Sequence, residues 1–179
     1  DPNVEAIVAL RPDVVLLATS SRASQQLEAL GLKVVALEPH SYAGVRRVLD
    51  KLGELLALPD AQRVWRVMDA GVSAAAQSLP ARARGLRVYF EVNGGPYAAG
   101  ASSFVGETLA RLGARNIVPA ALGPFPKLNP EFVVRADPDV IMVGKRSAAD
   151  LAERPGWAAM RAIRQQRVCI FDAQQMDVL

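Results

Sequence analysis

Apolar positions along the chain alternate between two rhythms. Val4, Ile7, Val8 and Leu10 recur at helical spacing, and Pro12 ends that helix. Val14–Ala18 is then a continuous apolar run, as expected of a strand buried on both faces of a parallel sheet. Ser24–Leu30 reads as a helix with Gly31 as its C-terminal cap, Lys33–Leu37 as a second strand, and Tyr42–Leu58 as an amphipathic helix. Residues 60–79 carry one stripe through Val64, Trp65, Met68, Val72, Ala76 and Leu79, bounded by Pro59 and Pro80. A helix of that length runs on the order of 30 Å, enough to join two lobes. The alternation then restarts. Arg87–Val92 reads as a strand, Asn93-Gly94-Gly95-Pro96 as a turn, and Phe104–Leu112 as a helix with Ser103 as N-cap and Gly113 closing it. A Pro/Gly-rich loop over Pro119–Pro130 leads to a helix at Glu131–Ala136 and a strand at Val140–Val143. A helix at Trp157–Arg164 and a strand at Val168–Phe171 follow. Strand and helix in turn are the signature of an α/β layer.

The segment Asn3–Ala18 lies over Asn129–Gly144 without a gap. Asn3/Asn129, Glu5/Glu131, Val8/Val134, Pro12/Pro138, Asp13/Asp139 and Val14/Val140 match, and most other pairs are apolar on apolar. Each copy is followed by a second helix and strand, so two related α/β units flank the long helix. A helix–Pro-Asp–strand entry explains the prolines and aspartates. The matched glutamates sit on the first turn of each helix. There the helix dipole favours a carboxylate by about 0.3–1 kcal/mol, so capping alone is one account of them.

Composition narrows the function classes. The net charge is +3, from 21 basic and 18 acidic residues, and aromatics are 6%. The basic residues are scattered, so no basic, aromatic-studded patch for nucleic acid is visible. Cys169 is the one cysteine, which excludes an internal disulfide and a multi-cysteine zinc site; its apolar surroundings predict a core position. His40 is the one histidine, too few for a bare zinc or manganese site, and reads as a solvated loop residue. No run of about 18 apolar residues exists to span a membrane. The abrupt opening on Asp1-Pro2-Asn3 and close on Met176-Asp177-Val178-Leu179 read as a piece of a longer chain, so a missing signal peptide says nothing of compartment. No phosphate loop, G-x-S-x-G elbow or H-E-x-x-H motif is present, and no enzyme is expected.

In order, the chain shows N-x-E-A-I-V-A-L-R-P-D-V-V-L, L-G-L-K-V-V, a lone long helix and P-Y-A-A-G, then P-F-P-K-L-N-P-E-F-V-V-R-A-D-P-D-V-I and R-P-G-W. This set resembles the helical-backbone (type III) periplasmic binding proteins of ABC importers for cobalamin, haem and ferric siderophores, above all the cobalamin-binding member. The resemblance implies two Rossmann-like lobes with mostly parallel sheets, joined by one long backbone helix, with ligand in the cleft between them. Residues 1–58 would form a partial N-terminal lobe, 59–83 the connecting helix, and 84–179 a C-terminal lobe lacking its last helix. It implies that Glu5 and Glu131 meet arginines of the permease dimer, which works with its ATPase. It also implies a protein that is periplasmic, or exported and anchored outside the inner membrane.

Ligands bind beyond the carboxyl ends of parallel strands. That rule selects Thr19, Ser20, Ser21 and Arg22, then His40 and Tyr42. In the second half it selects Asn93, Pro96 and Tyr97, then Lys145 and Arg146, then Gln174 and Asp177. Tyr97 and Phe125 match positions where the family sets an aromatic against a flat ligand. The ligand-binding set is therefore Thr19, Ser20, Tyr42, Asn93, Tyr97, Phe125 and Lys145, with no resident cofactor or metal. A corrinoid is the first choice of ligand, and haem or a ferric siderophore the second. The rivals of another class are an enzyme and a sensor lobe without transport.

Overall fold

The computed structural model describes residues 2–93 and 97–177; the side chains of Asn93 and Asp177 lie outside the described set. The chain forms two compact units. The first takes the residues up to Pro39 together with Ala43–Ala61, and the second takes His40–Tyr42 and the residues from Gln62 onward.

The first unit contains α1 (Val4–Ala9), β1 (Val15–Leu17), α2 (Ala23–Ala29), β2 (Val34–Ala36) and most of α3 (Tyr42–Leu55). The strands pair in parallel, with Val15 opposite Val34 and Leu17 opposite Ala36. Val15, Ala23 and Leu27 form its core, flanked by Val4, Ile7, Leu17 and Val34. Period-two alternation directs Val15 and Leu17 toward this core and leaves Leu16 on the other face, 45% exposed. The two-sided burial expected of this strand is thus not met within the unit.

The second unit contains α4 (Gln62–Ser78), β3 (Arg87–Asn93), β4 (Tyr97–Ala98), α5 (Phe104–Arg111), β5 (Arg115–Asn116) and α6 (Pro130–Ala136). It continues with β6 (Val140–Gly144), α7 (Lys145–Ala148), α8 (Arg161–Arg164), β7 (Val168–Phe171) and α9 (Ala173–Asp177). The sheet order is β4-β3-β6-β7, with β5 also on β3; every pairing is parallel except β3–β4. Alternate residues feed two cores. Tyr89, Ile141, Val143 and Val168 meet Val133 of α6, Trp157, Met160 and Ala162 of α8. Val88, Phe90, Val140, Met142 and Phe171 meet Val105 and Leu109 of α5. The result is the α/β architecture with mostly parallel sheets that the alternation predicts.

Two further expectations change. The helix over Trp157–Arg164 is divided, because Met160 is extended at φ −64° and ψ 144° between a 3-10 turn at Trp157–Ala159 and α8. Cys169 is exposed and not a core residue, since β7 is the outermost strand of its sheet. Among the described residues no helix is long and apolar enough to cross a membrane.

Candidate functional site

The segment after β3 shows how local sequence builds a surface. Residues 94–96, including Pro96, lie outside the described residues, as does the Asn93 side chain. The chain returns as β4, and residues 123–127 run beside it. Ala98 N–H donates to Pro126 O at 3.1 Å, Gly100 N–H to Pro124 O at 2.7 Å, and Tyr97 pairs with Lys127 in an antiparallel bridge. Ala98 and Ala99 are fully buried. A Cβ on Gly100 would lie 2.3 Å from Gly123 O, so only glycine permits this approach. Ser103 then caps α5: its Oγ accepts from Gly106 N–H at 3.0 Å and donates to Gly100 O at 2.7 Å.

These contacts leave Tyr97 and Phe125 on facing segments, 41% and 38% exposed. Lys127 Nζ stands 5.9 Å from the Tyr97 ring centroid. The His40 ring meets Phe125 edge-on at 5.9 Å and 69°. The two aromatics, a cation and an imidazole therefore form one exposed group in the second unit. Such a group can hold a flat, partly apolar ligand by ring contact and a negative substituent by charge.

Lys145 and Arg146 are exposed at the start of α7, directly after β6. Because β3 and β6 are parallel, this is the same end of the sheet as Tyr97. Met176 of α9 covers Gly144, where a Cβ would meet its Cγ at 3.2 Å; Gln174 is exposed on the same helix.

Tyr42 is engaged within the second unit. Its ring stacks on Phe104 at 4.9 Å, meets Trp65 edge-on at 5.1 Å, and lies under the Arg111 guanidinium at 4.6 Å. Its N–H donates to Glu107 Oε2 at 2.5 Å, and its hydroxyl is buried with no hydrogen-bond partner among the described residues.

Thr19 and Ser20 belong to the first unit. Both hydroxyls donate to Glu38, Ser20 Oγ at 3.0 Å, and Ser20 N–H adds a bond at 3.1 Å. One carboxylate thus ties together the carboxyl ends of β1 and β2.

Glu5 and Glu131 occupy equivalent local settings, each in its own unit. Asn3 caps α1 by accepting from Ala6 N–H at 3.0 Å, and Asn129 caps α6 by accepting from Glu131 N–H at 2.9 Å. Both glutamates lie exposed in the first turn. The asparagines do the capping, so the carboxylates are free of that task.

Sequence reasoning misses a buried polar cluster at β3. Glu91, 1% exposed, receives Arg154 Nη1 at 2.7 Å and Nη2 at 3.1 Å, and the Tyr89 hydroxyl at 3.1 Å. Burial, then the charge and hydrogen bond of Glu91, push the Tyr89 phenol far above its ordinary value. Burial pulls the Arg154 guanidinium down, and Glu91 and Asp150 more than offset it. The signal was one acidic residue inside the apolar strand R-V-Y-F-E-V. Among the described residues no three His, Cys, Asp or Glu side chains gather to hold a metal.

The comparisons agree with this architecture. The uncharacterized ABC transporter substrate-binding lipoprotein YvrC of Bacillus subtilis is 26% identical over 95% of this chain and 58% of its own length. A cobalamin-binding protein of Halobacterium salinarum is 28% identical over 79% of this chain and 40% of its own length. The chain thus spans 58% or less of these two relatives. The periplasmic heme-binding protein BhuT, solved with two hemes, superposes with a TM-score of 0.75 at 28% identity, covering 96% of this chain and 70% of that one. The sequence pattern of the periplasmic binding protein family matches residues 1–175, and the chain belongs to that family.

Proposed function

We propose that this chain is the ligand-capturing part of an ABC importer's binding protein, working outside the inner membrane, and that its ligand is a corrinoid. The observation that carries the reading is the exposed Tyr97–Phe125 pair with Lys127 and His40, at the sheet end where Lys145 also stands. A planar macrocycle with polar substituents needs apolar ring faces and a few charges, and this group supplies both. The cobalamin-binding name of one relative supports the corrinoid. Thr19 and Ser20, Tyr42 and Asn93 complete the proposed ligand set. Glu5 and Glu131 are proposed to dock on the permease dimer, as paired charges that speed encounter and fix register.

Haem is the second reading, favoured by the identity to a heme-binding protein and by the imidazole of His40 beside Phe125. Visible-absorbance titration of the full-length protein with cyanocobalamin, haemin and a ferric siderophore separates these readings. Saturable binding of cyanocobalamin alone supports the corrinoid, binding of haemin alone selects haem, and failure of all three removes the assignment.

A further inference from the structure

The segment from Lys145 to Glu153 has little regular structure to hold it. It is a four-residue helix followed by a 3-10 turn at Leu151–Glu153, and its apolar anchors are Leu151, the half-buried Ala148 and, beyond the segment, Trp157. Among the described residues, one side chain ties it to the sheet by polar bonds. Arg154 reaches back to Ser147 O at 3.5 Å and Asp150 Oδ1 at 3.1 Å while its fork grips both oxygens of Glu91 on β3. Its guanidinium also lies 4.7 Å over the Trp157 ring. The Glu91 side chain is fully buried and that of Arg154 is 17% exposed.

A pair this deep is a poor source of stability, because desolvation cancels most of the attraction. A bidentate fork does impose one geometry, which a set of apolar contacts does not. We infer that Glu91 and Arg154 are positioning residues: they fix the 145–153 segment, and with it Lys145, at the ligand end of the sheet. Their effect on ligand rests on the function proposed above; their effect on the segment does not.

Two variants of the full-length protein test this. Tyr89→Phe/Glu91→Leu/Arg154→Met replaces the whole cluster by apolar groups of similar size, and Arg154→Lys keeps the charge but loses the fork. Both should melt within about 4 °C of wild type. Amide hydrogen exchange should quicken over residues 145–153 in both, with Phe104–Arg111 unchanged as the internal control. Affinity for whichever of cyanocobalamin or haemin the wild type binds should fall at least tenfold. Wild-type exchange over 145–153 in either folded variant overturns the inference, since Ala148, Leu151 and Trp157 then suffice. Quickened exchange with unchanged affinity overturns the link to ligand. If the wild type binds neither probe, the functional reading fails, while the exchange data still decide the positioning role. Should the triple variant not fold, Arg154→Lys decides alone.

Discussion

Arg11 and Asp137 hold the same left-handed backbone, φ 49° and 42°, each just before the proline that leads into a strand. The two copies of the repeat therefore share a backbone conformation that neither residue type favours strongly. Their side chains differ in use. Asp137 accepts from Arg161 N–H at 2.8 Å and Nε at 2.7 Å, whereas Arg11 is exposed.

The same substitution should thus have opposite signs at the two positions. A left-handed conformation costs a non-glycine residue about 1–2 kcal/mol, and glycine's extra chain entropy returns about 0.5–1 kcal/mol of that. Arg11→Gly should stabilise by about 0.5 kcal/mol. Asp137→Gly gains the same relief but loses two hydrogen bonds to Arg161, and should destabilise by about 1–2 kcal/mol. Denaturant midpoints of the two variants check this; a shift in the same direction for both contradicts it.

Two helical glycines make a second contrast. A Cβ on Gly106 would sit 2.1 Å from Gly100 O and 2.7 Å from Ala101 Cα, so Gly106→Ala must push backbone aside. It should cost about 1–3 kcal/mol and disturb the segment that carries Tyr97. Gly71 in α4 has nothing near its Cβ direction, and Gly71→Ala should stabilise by about 0.8 kcal/mol through helix propensity alone. Thermal melts of both variants read the difference.

Stability should fall at high pH because of Tyr89. Below about pH 10 the phenol is neutral in folded and unfolded chains alike and adds no pH dependence. Above it the unfolded chain ionises, while burial and Glu91 keep the folded phenol protonated. The unfolded state is then favoured, by up to about 1.4 kcal/mol per pH unit until the folded phenol ionises. Tyr89→Phe should flatten this decline over about one pH unit above pH ~10. Parallel curves for the two proteins would exclude the cause given.

Charge reversal at Glu5 and Glu131 tests the proposed docking. Each carboxylate is exposed and the caps are asparagines, so Glu5→Lys/Glu131→Lys should cost the fold only about 0.3–1 kcal/mol per site, from the helix dipole. Pull-down by the cognate permease should be lost with ligand affinity unchanged. A drop in ligand affinity instead would move both glutamates into the ligand site.

Much of the fold was legible because apolar runs and periods of 3.6 residues locate β1, β2, β3, β6 and β7 and the helices α1 to α6, whereas the four-residue α7 carries no such pattern. The two-residue strands β4 and β5 were not legible. They exist through pairing with β3, at Glu91–Ala98 and Arg87–Arg115, and not through a pattern of their own. Cys169 misled because an apolar run looks alike on a central and an edge strand. Glu5 and Glu131 were visible through the repeat, and Tyr97 and Phe125 through the motifs around them. Glu38 was not, since a carboxylate bonded to Thr19 and Ser20 is a contact between strands, set by the parallel register of β1 and β2. Arg154 stood in view within R-P-G-W, but its partner is distant in sequence and appears only when β3 and the loop are packed.

Whether Tyr97 and Phe125 form a ligand surface is decided by cyanocobalamin titration, followed by visible absorbance, of the full-length protein and of its Tyr97→Ala/Phe125→Ala variant. Both rings are more than a third exposed, so their loss should leave the melting temperature within about 4 °C. The wild type should bind saturably, and the variant about tenfold more weakly or worse, a loss of roughly 1.4 kcal/mol. Equal affinity in the two proteins would contradict it.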